Sequence, residues 1–325
     1  MILEALGRVL TEHCSGADIR RVEGGGSVLP MWSPIEQGGF LDLLLREEAG
    51  GANLPLPDLF CVLECMGRFA VPLPFAESII ARALVHSDVP LPGGILTLAT
   101  HLQREADGSI VCRQTPCGLV TGHVLAAEGG ALFLLSTANA RRRVVGDPRE
   151  QLADLRWDSP AAARPVPGPA SALPVFAAAA TAALLSGAMQ RSFELSLEYC
   201  NQRVQFGKPL GKFQAVQQQL SVMAEHVLAG SIAAEAAFRT SGPTPDALAA
   251  AIAKSRCSEA AALVAATSHA VHGAIGMTDE YDLGILTRRL HSWRRAYGAE
   301  QYWNGVIGRR LLASSDLLLD FVRVA

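Results

Sequence analysis

Tyr199-Cys200-Asn201-Gln202-Arg203-Val204-Gln205-Phe206-Gly207-Lys208-Pro209-Leu210 continues through Gly211-Lys212 to Phe213-Gln214, and this stretch decides the fold. Residues 176–201 before it hold no proline and span roughly 39 Å as a helix at about 1.5 Å per residue. Phe206-Gly207 is a turn. After it, Phe213, Val216, Leu220, Met223 and Val227 recur at alternating spacings of three and four, an apolar seam for a neighbouring helix. A long helix, a tight turn and a second helix are expected. An arginine fixed beside a glycine turn brings a guanidinium and backbone N–H groups onto a diphosphate. The same residues also read as a helix cap, Arg203, with Phe206 and Phe213 filling a core.

Outward from this centre, a further helix is expected to start at Thr244-Pro245-Asp246, with Thr244 as N-cap and Pro245 at the first helical position, and to stop at Gly273. Toward the N-terminus, residues 1 to about 88 read as helical. Leucines at 41, 43, 44 and 45 mark Gly39 to Glu47, a helix runs from about Pro57 to Phe69, and residues 49–53 (Ala-Gly-Gly-Ala-Asn) form a loop. Gly24-Gly25-Gly26 is a turn and no phosphate loop, because neither GK[ST] nor GxGxxG follows. Between these helical regions lie short apolar runs at 95–99, 109–112, 122–126 and 131–135, with Asp107-Gly108 and Gly129-Gly130 as hairpin punctuation. Pro160, Pro165, Pro167, Pro169 and Pro174 form a stiff exit. The reading is α+β without internal repeat. It comprises an N-terminal helical domain (1–88), a small, reduced antiparallel β domain (89–174) and a C-terminal antiparallel helix bundle (175–325).

Composition narrows the function. Of the 325 residues, 50% are apolar and 18% charged, with a formal charge of −3, so no field suits nucleic acid or an anionic membrane. The Arg141-Arg142-Arg143 run reads as a solvated loop. Seven cysteines lack CxxC spacing and read as reduced, mostly buried thiols of a cytoplasmic protein. His269 and His272 have no carboxylate or cysteine ligand pattern around them, so no metal is expected. No signal peptide or membrane span is expected either.

The pattern R-x-Q-F-G-K-P-x-x-x-F-Q after a Y-x-x-x-R helix end resembles the acyl-CoA dehydrogenases. The stretch from His269 through Gly273 and Gly276 to Tyr281 is similar to that family's glycine-rich helix end, with departures at Ala270 and Ala274. Residues 50–68 resemble its early loop and helix. The resemblance implies FAD as cofactor, with Arg203, Gln205, Phe206, Phe213, Gln214 and Gly273 holding the ADP half of a flavin bound mainly by an adjoining subunit.

The reaction implied is Cα–Cβ desaturation, in which a carboxylate removes the α-proton while hydride leaves to the flavin. The family's glutamate position falls on Tyr297, and the alternative base position on Ala177/Ala178. The loop and strand that grip the isoalloxazine ring have no match between residues 90 and 170, where Thr97 lies on the nearest comparable strand. A base-less chain of this kind resembles the short subunits of α2β2 acyl-CoA dehydrogenases in bacterial sterol side-chain breakdown. It implies a partner subunit carrying the glutamate and most of the acyl-CoA contacts, and an electron-transfer flavoprotein as acceptor. A self-sufficient flavoenzyme with another base or redox-neutral chemistry, such as a desulfinase, and a non-enzymatic scaffold remain as alternatives.

Overall fold

The computed structural model describes residues 2–85 and 89–315, so the expected boundary at residue 88 lies outside the described residues. Two compact units are present. The first comprises residues 1–59 and 71–177, the second residues 60–70 and 178–325.

The first unit opens with α1 (Ile2–His13), α2 (Gly16–Glu23) and α3 (Leu29–Gln37). Ser15 and Asp18 form a capping box on α2, which satisfies two N–H groups that the first helical turn leaves without partners. The stretch 39–46 is not the helix its leucines suggested. After the Gly38-Gly39 pair its backbone pairs with the loop beyond, Leu54 N–H donating to Leu43 O and Asn53 N–H to Leu45 O, each at 2.8 Å. Leu41 and Leu43 are buried. The next helices are α4 (Leu56–Arg68), close to its expected bounds, and the largely buried α5 (Phe75–Leu84). Phe75 stacks on Trp32 at 5.0 Å.

Eight strands follow: β1 (Leu96–Ala99), β2 (Gln103–Arg104), β3 (Ile110–Thr115), β4 (His123–Glu128), β5 (Ala131–Ser136), β6 (Arg141–Val144), β7 (Ala153–Trp157) and β8 (Arg164–Val166). They form two four-stranded sheets in the orders β1-β4-β5-β8 and β2-β3-β7-β6. Ile110, Cys112, Val124, Ala126, Leu135, Leu155 and Trp157 fill one core cluster. The expected hairpin at Gly129-Gly130 joins β4 to β5, whereas the turn at Asp107-Gly108 joins β3 to the short β2 and not to the apolar run 95–99. The sheets are antiparallel with one exception: β1 runs parallel to β4. The chain leaves β1, builds β2 and β3 in the other sheet, and returns to β4 from the same end. That is the crossover which parallel pairing requires.

The Arg141–Arg143 run is strand β6 rather than a loop. Arg142 donates to Leu119 O and Thr121 O, while Arg141 and Arg143 pair with Asp158 and Asp154. The proline-rich exit is also more structured than expected. Pro165 sits in the edge strand β8 opposite Phe133, where a missing N–H is tolerated. Pro174 lies in the first turn of the following helix, where its N–H has no intrahelical acceptor to lose.

That helix is α6 (Ala172–Gln202), whose greater part belongs to the second unit. There it packs on the end of α4 at van der Waals backbone distance. A Cβ on Gly187 would lie 1.9 Å from Glu64 O, and one on Gly67 2.2 Å from Leu184 O. Only hydrogen fits at either position. Glu64 then reaches Ser186 Oγ at 2.7 Å and Gln190 Nε2 at 2.8 Å. After a short hairpin, β9 (Val204–Gln205) and β10 (Lys208–Pro209), come α7 (Gln214–Ala236), α8 (Ala247–His272), α9 (Leu283–Arg295) and α10 (Glu300–Ala313).

Leu220, Met223 and Val227 bury the expected seam of α7. The N-cap of α8 is Asp246 and not Thr244. Its carboxylate accepts from Leu248 N and Ala249 N at 2.9 and 2.8 Å, so the cap falls two residues later. The expected stop at Gly273 holds. By length and apolar composition α6 and the span 247–277 match membrane-crossing helices, but the apolar window of α6 is 89% buried within the protein. All seven cysteines are thiols, and Cys14, Cys112, Cys200 and Cys257 are buried.

Candidate functional site

The Arg203–Gln214 segment is built as an exposed platform at the end of α6. Arg203 N–H donates to Tyr199 O at 2.8 Å to finish the helix, and Leu210 N–H donates to Arg203 O at 2.9 Å to close the hairpin. Phe206 and Gly207 form its two-residue turn with φ of 51° and 81°. Both angles are left-handed, as a type I′ turn requires. Glycine adopts that geometry freely, and phenylalanine at the first position does not. Phe206 is also 91% exposed. Its ring meets Phe213 edge-on at 6.3 Å, and Lys208 Nζ sits 4.3 Å from the Phe213 centroid, a cation–π contact.

Arg203 is exposed, and among the described residues its guanidinium has no protein partner. Gln205 is half-buried and Gln214 exposed at the start of α7. The structure therefore brings Arg203, Gln205, Phe206, Phe213 and Gln214 onto one hairpin and the helix start that follows it. Phe206 does not fill a core.

The second motif meets the first through a cluster of three rings. The buried His272 ring stacks on Tyr199 at 4.5 Å and lies 5.1 Å from Tyr281. His272 Nδ1 lies 2.8 Å from Ser268 O, and Nε2 lies 3.4 Å from the Tyr281 hydroxyl. Ser196 Oγ and Ser268 Oγ approach to 3.3 Å one turn earlier. Burial lowers the His272 pKa, which favours the neutral ring. His269 Nε2 is 2.9 Å from Thr287 Oγ1. Gly273, next to His272, is exposed at φ 63°, and a Cβ there would meet nothing within 4 Å. Its backbone is open to an approaching group.

Tyr297 and Ala178, expected at the family's base positions, lie in a different part of the second unit, and Ala177 ends the first. Tyr297 and Gly298 form a turn with φ of 56° and 100° between α9 and α10. Trp303 Nε1 donates to Tyr297 O at 3.2 Å. Glu300, the nearest carboxylate in sequence, is held by Arg294 through a bidentate pair that includes Nε–Oε2 at 3.0 Å. That pairing keeps its pKa below the usual carboxylate value. Ala178 is packed against Ala251 and Trp303, and Ala177 is likewise buried.

Lys254, which sequence reasoning passed over, anchors this turn. It is fully buried on α8, with Nζ 2.8 Å from each of Ser258 Oγ, Arg294 O and Gly298 O. Burial pulls its pKa down to about 7. The available signal was a lone lysine within the alanine-rich run 247–262.

With this geometry established, the chain's relatives agree with one another. The acyl-CoA dehydrogenase C-terminal domain matches residues 175–312. The acyl-CoA dehydrogenase IpdE2 of Mycobacterium tuberculosis is 31% identical over 299 residues, covering 90% of each chain. The chain therefore belongs to the acyl-CoA dehydrogenase family. Among solved structures, the Tcur3481-Tcur3483 steroid acyl-CoA dehydrogenase (G363A variant) superposes with a TM-score of 0.81 at 25% identity, over 95% of this chain and 96% of that one. The ChsE4-ChsE5 complex from Mycobacterium tuberculosis superposes at 0.82 with 20% identity over 97% of each.

Proposed function

We propose that this chain is the base-less subunit of a heteromeric, FAD-dependent acyl-CoA dehydrogenase that desaturates a bulky acyl-CoA, a steroid-CoA in particular, at Cα–Cβ. The observation that carries the reading is the Arg203–Gln214 hairpin. It presents a guanidinium with no protein partner among the described residues, a 91% exposed phenylalanine and a lysine-backed aromatic ring on one surface. Those groups fit the ADP half of FAD. The guanidinium matches a diphosphate bidentately, and the Phe206 and Phe213 rings offer apolar faces to the adenosine end. Gln205 and Gln214 supply amide donors and acceptors, and Gly273 leaves the backbone open to the diphosphate.

When bound, the flavin supplies the hydride acceptor. This chain's own residues bind and orient its ADP end and move no proton. Tyr297 and the buried Ala177/Ala178 pair stand where a carboxylate base is required, and Glu300 is engaged by Arg294. A partner subunit then supplies the glutamate, the isoalloxazine contacts and most of the acyl-CoA site, with an electron-transfer flavoprotein as acceptor and the cytoplasm as compartment. Two features of known proteins support the heteromer and the bulky substrate: the paired-chain composition of the Tcur3481-Tcur3483 and ChsE4-ChsE5 assemblies and the steroid designation of the former.

The test is flavin content and mass of the purified chain, alone and co-expressed with candidate partner acyl-CoA dehydrogenase chains. The expected result is no flavin alone and about one FAD per pair of unlike chains, lost on Arg203→Ala. One tightly held FAD per chain in a homo-oligomer refutes the proposal.

A further inference from the structure

Two helix ends frame the proposed half-site, and neither holds the other through its own functional groups. Arg203 ends α6 and Gly273 ends α8. Tyr199 lies one turn before Arg203, to which its carbonyl is hydrogen-bonded, and His272 immediately precedes Gly273. The ring stack at 4.5 Å and 25° between Tyr199 and His272 bridges the two ends, alongside the Ser196 Oγ–Ser268 Oγ contact at 3.3 Å one turn earlier.

We propose that His272 is a positioning residue for the flavin diphosphate, setting the spacing between the helix end that carries Arg203 and the helix end that carries Gly273. The inference rests on the half-site reading above.

Three features separate His272 from ordinary core packing. Its ring packs against two others, Tyr199 on one helix and Tyr281 in the segment leading to α9, which also meet each other edge-on at 6.4 Å. Its rotation is fixed from both nitrogens. With the proton on Nδ1 it donates to Ser268 O and leaves Nε2 to accept from the Tyr281 hydroxyl. The ring is also buried, so water does not compete for either hydrogen bond, and a side chain in that state transmits position rather than yielding. A phenylalanine at this place would keep the stack and lose the rotational lock. An alanine would lose both and let the end of α6 drift relative to Gly273. Arg203 would keep its charge but miss the diphosphate, because a bidentate contact is lost over small displacements.

The experiment uses the flavin-binding complex, stripped of FAD and titrated with FAD at a series of salt concentrations. The variants are His272→Ala, His272→Phe, Tyr281→Phe and, as reference, Arg203→Ala. His272→Ala is expected to assemble with its partner and to raise the FAD Kd about tenfold, as for loss of one charge-assisted contact. Its salt dependence should fall to that of Arg203→Ala, since the cation no longer engages. His272→Phe should fall between wild type and His272→Ala. The salt slope is the deciding readout, because general loosening weakens binding without removing the charge contact.

A His272→Ala complex with the wild-type Kd and salt slope, beside a defective Arg203→Ala, overturns the positioning role and leaves the half-site reading intact. If Arg203→Ala itself binds FAD like wild type, the half-site reading fails and takes this inference with it. Should His272→Ala fail to assemble, Tyr281→Phe decides. That variant removes only the hydroxyl facing Nε2, so a several-fold higher Kd with a reduced salt slope supports the inference and wild-type behaviour overturns it.

Discussion

Replacing Lys254 with methionine isolates what a buried amine contributes to the turn at Tyr297. Its Nζ lies 2.8 Å from Ser258 Oγ, Arg294 O and Gly298 O, and burial lowers its pKa from 10.5 to about 7. A lowered folded pKa means that the unfolded chain binds the extra proton throughout the window from 7 to 10.5. Stability therefore rises with pH across that window and is lost as pH falls through 7. At about 1.4 kcal/mol per unit, the gain from pH 7 to pH 9 is about 2 kcal/mol. Its neighbours do not blur the signal. The Cys257 thiol is pushed up to about 12 by burial, and Glu300 is held ionised by Arg294. Methionine fills similar space but leaves Gly298 O without this donor, at about 1–3 kcal/mol, while Arg294 O keeps Ser258 Oγ at 3.3 Å and the cost of burying the amine is removed. The gap between wild type and Lys254→Met should accordingly widen by about 2 kcal/mol between pH 7 and pH 9. Urea unfolding followed by circular dichroism measures it. Parallel pH profiles for the two proteins would refute the argument, since they would mean that Lys254 does not titrate in this window.

Phe206→Asn should leave the chain as stable as wild type or up to about 1 kcal/mol more stable, because asparagine tolerates the left-handed first position of a type I′ turn. The same variant should lower the flavin-to-protein ratio of the complex, and thermal melts with flavin absorbance read the two effects separately. Gly187→Ala should cost about 3 kcal/mol or more in urea unfolding, since its Cβ would lie 1.9 Å from Glu64 O in a contact that rigid backbone cannot relieve. Gly308→Ala on α10 is the contrasting case. Nothing lies within 4 Å of the added methyl, and a gain of about 0.5–1 kcal/mol is expected.

What the sequence revealed and what it hid divide along local and non-local lines. The turn at Phe206-Gly207, the stop at Gly273 and the seam of α7 were legible because each is decided within a few residues, by turn geometry or by helical periodicity. The stretch 39–46 misled because its leucines are close enough for a helix, whereas Leu43 and Leu45 give their carbonyls to residues 53 and 54. The parallel β1–β4 pair is decided by which sheet β2 and β3 join, a question that no local pattern answers. Thr244 and Asp246 are both sound caps in isolation, and the choice fell to the residue whose carboxylate reaches two N–H groups. Of the proposed site, the Arg203–Gln214 residues were legible as a motif, and the structure gathers them on one hairpin and the helix start after it. The His272 ring cluster and the Lys254 anchor of the Tyr297 turn were not, because each is made with partners on other segments of the chain.

The exposed hairpin is best understood by what it costs. Phe206 combines two unfavourable choices, a left-handed backbone that an aromatic residue rarely adopts and an almost fully exposed ring. An isolated exposed aromatic is ordinary, and so is an occasional positive φ. A residue that carries both, at the tip of a turn where asparagine or glycine fits better, runs against local stability. Arg203 alongside adds a guanidinium with no protein partner among the described residues. Local sequence and local structure disagree here, while they agree at Gly207, Asp246 and Gly273. Such disagreements concentrate at functional sites, where the missing contacts come from a ligand or a partner. The turn at Tyr297-Gly298 shows the opposite balance. Its two left-handed residues are held by Lys254, Trp303 and the Arg294–Glu300 pair, so its strain is offset within this chain. The hairpin therefore carries the argument for a shared flavin site, and the Tyr297 turn does not.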